Sequence, residues 1–501
     1  MNKSLLISFI LVASLATTLA QTSFDSSCVW WLSSISTNET DCSRTNPCSH
    51  LKSALDFANA SPSPCPSNET RYIYLIPDGV YYNSSGIRLD YNYDPNNAYS
   101  TIIVSSASPV VLTQNVTLPL PPAPMNAVID ASNTTFHARF FLENTNYTFI
   151  GITFKNANAS GNIGFPIFIY PDTIAVNFIS CTFQDNFGLK GGLLYWNPIK
   201  SSFINNCTFI NNIGGPLSMG GAIFIKDNAA SLSIDNSTFT NNNASVGGAL
   251  YVEDSKVVVS NSNFTFNRAF NGSGGGAYVQ SVGVSVGSNW KNIVFSNNSA
   301  INGGALFDKL STLEYANIKF ELNYASFNGG AVNLQDTLSS IVQSTFHQNS
   351  AFNGGAVFTF DSVPKNKQLL IKGSSFTANT AQIGGALYCN STTAGLNVQN
   401  HFAQNSAAGN KDTNAEYCSK TCLTAFGLCG CMNGCGLPPP PSTATGTETK
   451  IALGIFIPIT IILLGVVCFL LWKTNKNKQK LQQRAYDEIR LQPSSPQEND
   501  L

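Results

Sequence analysis

Charge is the scarcest property of this chain: of its 501 residues only 11% are Asp, Glu, Lys or Arg, and 27 basic against 28 acidic residues leave a net charge of −1. A surface so poor in cations cannot neutralise a phosphate backbone, which argues against nucleic acid as a partner. Histidine is rarer still, with four copies at positions 50, 137, 347 and 401. These are scattered, and the sequence calls for no metal or cofactor. Long apolar runs are also few. One lies within residues 1–20, where Lys3, an apolar stretch over 5–15 and the small-residue end Thr18-Leu19-Ala20 read as a secretory signal peptide cut before Gln21. The other, 451–472, holds 22 residues without a charge, which as a helix rising ~1.5 Å per residue is long enough to cross hydrocarbon.

Lys473, Lys476, Lys478, Lys480 and Arg484 follow that run, whereas Lys450 stands nearly alone before it. The positive-inside rule therefore predicts a type I protein of the plasma membrane or an endolysosomal membrane, with residues 21–450 outside and a cytoplasmic tail over 473–501. Of 13 cysteines, Cys468 falls in the membrane run, leaving an even 12 outside, as an oxidising compartment favours. Asn-x-Ser/Thr sequons at Asn38, Asn68, Asn83, Asn115, Asn133, Asn146, Asn158, Asn206, Asn236, Asn243, Asn263, Asn271, Asn297 and Asn390 predict a heavily glycosylated ectodomain.

Within that ectodomain one unit recurs from about 180 to 407: Phe-x-x-Asn-x-small, then Gly-Gly-Ala. The first half appears as Phe183/Asn186, Phe209/Asn212, Phe239/Asn242, Phe264/Asn267, Phe295/Asn298, Phe320/Asn323, Phe346/Asn349, Phe376/Asn379 and Phe402/Asn405, spaced by 25 to 31 residues. The glycine pairs begin at Gly191, Gly220, Gly247, Gly275, Gly303, Gly329, Gly354 and Gly384. Short alternating runs such as Ser231-Leu232-Ser233-Ile234 favour strands over helix pairs. The expected fold is an all-β, right-handed parallel β-helix ectodomain joined to one transmembrane helix. Each strand would pair with its equivalent one coil away at roughly 4.8 Å, through crossovers of the usual right hand. The Phe residues would stack into a buried spine. The Asn residues would form an amide ladder while accommodating a tight turn, and the glycines would mark a second corner.

Upstream, residues 72–79, 101–104 and 149–154 look like less regular coils, so the helix is placed over 71–410 with regular repeats from 180. Residues 21–70, with Cys28, Cys42, Cys48 and Cys65 around a helical-looking 50–60, would cap its start. Residues 411–437 would cap its end through a cluster that includes Cys418, Cys422, Cys429, Cys431 and Cys435, with Cys389 nearby; disulfides are expected there, zinc being the alternative. Residues 438–450 read as a Pro/Ser/Thr stalk. Sequons must point outward, and Asn206, Asn236 and Asn263 then turn Phe209, Phe239 and Phe264 inward. The same parity places Cys181 and Cys207 inside on consecutive coils, and a Cα separation near 4.8 Å predicts a disulfide between them.

The Phe-x-x-Asn and Gly-Gly-Ala-[Ile/Leu/Val] pair over 180–407 resembles the repeat of the chlamydial polymorphic outer-membrane proteins. That resemblance implies a surface adhesin with a β-helical body. Those proteins end in a membrane β-barrel, however, where this chain offers one helix and a basic tail. The sequon-dense background and pectin-lyase-like start are similar to repeat-bearing membrane proteins of social amoebae.

Many parallel β-helices cleave polysaccharides, so carboxylate pairs matter. Asp227, Asp254, Asp336 and Asp361 each lie five residues after a repeat alanine. Two adjacent-coil pairs of that kind suit a retaining glycosidase or Ca²⁺ binding, unless Asp merely ends the strand. No Arg/Lys/His constellation of the polygalacturonase or pectate-lyase type accompanies them. Phe224, Tyr251, Phe307, Phe358 and Tyr388, two residues after the alanine, would line an outer stripe suited to sugar rings or a partner, or one covered by loops. In the tail, Tyr486 and Ile489 form a Tyr-x-x-apolar sorting signal that would engage a cytoplasmic adaptor. The expected function is cell-surface adhesion or recognition of a carbohydrate or surface protein, without catalysis. The alternatives are a membrane-tethered polysaccharide lyase or glycoside hydrolase, and a structural coat protein.

Overall fold

Apolar and polar residues alternate here in runs of two to six, each broken by Asn, Asp or Gly, and such runs can bury one face only by pairing with copies of themselves. In the computed structural model they do so. The structure describes residues 173–418 apart from 228–229, 282–287, 362–369, 391–399 and 409–415, and upstream of 173 shorter segments between 28 and 171. The expected signal peptide, the caps in large part, the stalk, the membrane segment 451–472 and the tail with Tyr486 and Ile489 lie outside the described residues. So do the sequons at Asn38, Asn68, Asn83, Asn115 and Asn133. Among the described residues no helix is long and apolar enough to cross a membrane. The chain divides into a unit over 1–435 and a second over 436–501.

One coil shows the construction. Ser231–Asp235, Thr238–Thr240, Asn243–Ala244 and Leu250–Glu253 are four strands, and Lys256–Ser260 then lies parallel to the first, with Leu232 opposite Val257 and Ile234 opposite Val259. Repetition produces four parallel sheets of 12, 12, 10 and 12 strands, here called first to fourth in chain order. About twelve coils are stacked in this way among the described residues. The first sheet starts at Val29–Leu32, which pairs with Thr70–Leu75, so the N-terminal cap supplies the opening strand. Cys42 and Cys48 are bonded to each other beside it, and Cys28 and Cys389 each take part in a separate disulfide.

The expected spine exists and is longer by one ring. Phe183, Phe209, Phe239, Phe264, Phe295, Phe320, Phe346 and Phe376 are fully buried, and successive centroids lie 4.5 to 5.4 Å apart with nearly parallel planes. Phe402 closes the column at 4.8 Å, and Phe154, ahead of the regular repeat, opens it at 5.3 Å. Each stacked pair adds about 0.5–1.5 kcal/mol beyond the area it buries.

Beside the rings runs the amide ladder. Asn242 shows the pattern: its Nδ2 donates to Asn267 Oδ1 (3.0 Å) and to the Phe209 carbonyl (3.0 Å), while its backbone N–H donates to the same Oδ1 (2.9 Å). The bonds repeat along the column, so the buried amides are satisfied from coil to coil. The tight turn does not fall on the ladder residue, as expected from sequence, but on the residue before it. Asn211, Asn241, Phe266, Asn297, Leu322, Gln348, Ala378 and Gln404 all take φ between 52° and 58°. Even Phe and Leu accept this left-handed conformation, because the ladder Asn behind them is locked into its neighbours.

The glycine corner serves both expected purposes, one in each residue. Gly247 takes φ +62°, and a Cβ on Gly248 would lie 2.1 Å from the carbonyl oxygen of Gly275. Cys181 and Cys207 require a correction. They occupy adjacent coils as expected, but both are free thiols. In parallel register the two Cβ atoms point the same way and stay about a strand spacing, ~4.8 Å, apart, beyond the roughly 3.5–4.5 Å a disulfide requires. Each sulfur instead takes the place of a serine. Cys181 N–H donates to Cys207 Sγ, Cys207 N–H to Ser237 Oγ and Ser237 N–H to Ser262 Oγ.

Candidate functional site

The aromatic stripe follows from strand alternation in the fourth sheet: Ile223 and Ile225 point into the core, so Phe224 between them points out. Stacking then sets the geometry. Phe168, Tyr195, Phe224, Tyr251, Tyr278 and Phe307 form one continuous ladder with centroids 4.4 to 5.6 Å apart. Asn333 interrupts it in register between Phe307 and Phe358, and Phe358 and Tyr388 continue as a pair at 5.1 Å.

The five predicted residues do share one face, but the stripe offers no sugar platform. Tyr251, Phe307 and Phe358 are only 6–8% exposed, and ring faces are occupied by neighbouring rings. Phe165 leans over the early part of the ladder, 5.6 Å from Phe224. Tyr278 also belongs to the stripe, although it directly follows Ala277, where the other repeats place an inward residue. The glycine run explains the difference: Gly274 takes the positive φ, Gly276 stands in for alanine, and Ala277 pairs with Leu250, so Tyr278 falls one place later, opposite Tyr251.

At the edge of this ladder Tyr251 OH donates to Glu253 Oε2 (2.8 Å), Lys226 Nζ reaches Glu253 Oε1 (3.0 Å), and Tyr278 OH donates to Gln280 Oε1 (2.8 Å). Burial, and then Glu253, hold both phenols protonated, Tyr278 being pushed up to about 12 and Tyr251 further. These hydroxyls therefore donate and brace at neutral pH.

The four candidate aspartates end their strands. Asp227, Asp254 and Asp336 adopt φ of 52°, 44° and 53°, and their backbone N–H groups donate to Glu253, Gln280 and Phe360 on the next coil. Asp227 lies next to Asp254, and Asp336 next to Asp361, in the adjacent-coil pairing expected. The left-handed turn at the first three is what short, self-bonding side chains favour. Among the described residues no group of three or more His, Cys, Asp or Glu is placed to hold a metal.

A carboxyl group outside that set has the more unusual environment. Asp308 is fully buried, facing the core between Val279 and Leu334 on the neighbouring coils. Tyr315 OH (3.0 Å), Ser339 Oγ (2.5 Å), Thr337 Oγ1 (3.4 Å) and Ser311 Oγ donate to it. Burial raises its affinity for the proton although these four hydroxyls work the other way. The signal was present in the sequence: in Leu306-Phe307-Asp308-Lys309, alternation already places Asp308 on the inward side with Leu306.

A second outward feature also escaped sequence reading. In the third sheet Tyr324, Phe327 and Phe352 are 53, 51 and 47% exposed. The register slips around Tyr324–Asn328, where Ser326 and Phe327 together oppose Ile301 alone, so one strand carries an extra residue.

The repeat model of the Chlamydia polymorphic membrane protein family matches residues 236–253 and 292–309. Each match covers the same portion of a coil, from the corner ahead of the second sheet to the end of the fourth-sheet strand, in coils two turns apart. No curated protein matches the chain. Among solved structures, a rhamnogalacturonan lyase is similar at 9% identity, covering 73% of this chain and 87% of its own, with a TM-score of 0.37. A lacto-N-biosidase from Eubacterium ramulus is similar at 12% identity, covering 74% and 63%, with a TM-score of 0.36. The chain is a parallel β-helix, two of whose coils match the repeat model of the Chlamydia polymorphic membrane protein family.

Proposed function

We propose that this chain is a glycosylated cell-surface adhesion or recognition protein whose β-helix is presented outside the membrane by the apolar segment 451–472. The match of its repeat to a membrane-protein family carries the reading. The stacked core supports it, since continuous columns of rings and amides hold the outer faces in fixed relative positions, and pre-organised surfaces lose less on binding. The sequons at Asn206, Asn236 and Asn263 are exposed, as glycan acceptors must be. In the tail, Tyr486 and Ile489 would connect the protein to a sorting adaptor.

The fourth-sheet ladder braces the coils in this reading and leaves recognition to other faces. Full-length protein expressed on otherwise non-adherent cells is expected to raise binding to neighbouring cells or to immobilised glycans at least several-fold. The Tyr251→Ala/Phe307→Ala pair should lower thermal stability without abolishing that binding. Expression that leaves adhesion to every cell type and glycan at the background level would remove the proposal.

A further inference from the structure

Asn-Gly pairs begin at Asn271, Asn302, Asn328, Asn353 and Asn433, the last outside the described residues. Such a pair is chemically labile, because the glycine nitrogen, unshielded by a side chain, can attack the Asn amide carbon. Once hydroxide has taken its proton, that nitrogen bonds to Cγ, the Cγ–Nδ2 bond breaks, and ammonia leaves with a proton from water. Water then opens the cyclic imide at one carbonyl to give aspartate or at the other to give isoaspartate. The reaction needs only water and the chain itself, provided that the glycine N–H is free. By sequence the four described pairs are alike, each preceded by a bulky apolar residue: Phe270, Ile301, Phe327 or Phe352.

The fold separates them. Asn302, Asn328 and Asn353 end the third-sheet strands Ser299–Asn302, Tyr324–Asn328 and Ser350–Asn353. The glycine after each donates its N–H to a carbonyl on the next coil: Gly303 to Asn328 (2.8 Å), Gly329 to Asn353 (2.9 Å) and Gly354 to Ile383 (2.9 Å). Their side chains are engaged as well, Asn353 Nδ2 donating to Asn328 Oδ1 (2.9 Å) and Asn302 Nδ2 to Ser273 Oγ (3.4 Å). Attack at these three must wait for the coils to part.

Asn271 is placed differently. In its coil Ser273 takes the register position opposite Asn302, directly before the turning glycine Gly274. Asn271 and Gly272 are thereby displaced from the ladder, past the end of the strand Arg268–Ala269. The Asn271 side chain is exposed, and among the described residues neither it nor the Gly272 N–H has a hydrogen-bond partner.

We infer that Asn271 is a site of spontaneous deamidation in the folded protein, while the stacked coils protect Asn302, Asn328 and Asn353. The product alters a pinned corner. Asn271 N–H donates to Ser245 O (3.3 Å) on the preceding coil, and Gly272 O accepts from Ile301 N–H (2.8 Å) on the following one. Aspartate puts a negative charge between these anchors, and isoaspartate puts an extra backbone atom there, which strains one bond or the other. Asn271 also heads a sequon. A glycan on Nδ2 would turn the departing ammonia into a bulky glycosylamine, so the reaction belongs to copies that lack a glycan at this position.

The test uses full-length Ser273→Ala protein, which has no sequon at Asn271 and gives up only the long bond from Asn302. It is aged at mildly alkaline pH, both in buffer and after unfolding in guanidinium chloride with reductant, and peptides spanning each pair are followed by mass spectrometry for aspartate and isoaspartate. In buffer Asn271 is expected to convert at least about tenfold faster than Asn302, Asn328 and Asn353, which react only through local opening. In the unfolded chain the four should convert at similar rates. An unchanged melting temperature shows that the variant is folded, and parent made in a host without N-glycosylation gives the same reading with Ser273 in place. Conversion at Asn271 no faster than at the other three in buffer overturns the inference. So does a lead of Asn271 that persists undiminished in the unfolded chain, since local sequence would then account for it.

Discussion

The backbone N–H of Cys181 donates to the sulfur of Cys207 on the next coil across 3.4 Å, in a column where the following rungs are serine hydroxyls. Burial raises the Cys207 thiol's hold on its proton, so it persists as a neutral rung. Cys207→Ser is therefore expected to be tolerated, with stability within about 1 kcal/mol of parent, whereas Cys207→Ala orphans the Cys181 N–H and costs about 1–3 kcal/mol. Alkylation after unfolding without reductant should label both residues. Failure to label them would show that a bond had formed after all.

The amide ladder makes a stronger demand. Asn267 Oδ1 accepts both the backbone N–H and the Nδ2 of Asn242, each buried. Asn267→Ala leaves two buried donors unpaired, at roughly 1–3 kcal/mol apiece. A fall of several kcal/mol in urea unfolding is expected, against less than about 1 kcal/mol for Thr240→Ala at a half-buried hydroxyl pair. Comparable losses in the two variants would show that the ladder contributes little.

Gly248→Ala meets backbone on every side: Gly275 O at 2.1 Å and Arg268 N and C at 2.6 Å from the new Cβ. No flexible side chain can yield there, so neighbouring coils must separate. Limited proteolysis is expected to open the chain near 248–275 in the variant but not in the parent. Identical digestion patterns would contradict the close approach.

Asp308 should make stability depend on pH. An unfolded aspartate loses its proton near 3.9, whereas burial raises the folded value. Below the unfolded value both states carry the proton. As pH climbs through the folded value the core must accept a charge, so this group's stabilisation is present in acid and is lost toward neutrality. Asp308→Asn, which keeps the shape without the ionisation, should gain on parent in urea midpoint between pH 4 and pH 7. A difference that does not change with pH would show that Asp308 ionises as freely in the folded chain as in the unfolded one.

Much of this was legible in the residues. Phe-x-x-Asn every 25 to 31 positions specifies a stack, because only equal coils bring Phe209 beneath Phe239 and Asn212 beside Asn242. Gly247 and Gly248 announced their corner for the same reason. What misled was local: the three glycines at 274–276 concealed which of them makes the turn, and with it the place of Tyr278. For Cys181 and Cys207, Cα spacing alone suggested a bond that the direction of their Cβ atoms does not allow.

Composition and period by themselves determined the class of fold, its spine and its inward and outward faces, since a repeat of short alternating strands has one way to bury every Phe. Only the tertiary structure decided what each outward residue does. Whether a ring is spent on its neighbours, as at Tyr251, or left in solvent, as at Phe327, depends on bulges, register slips and the coil above and below. Those are contacts between residues some 25 positions apart, and no local pattern in the chain encodes them.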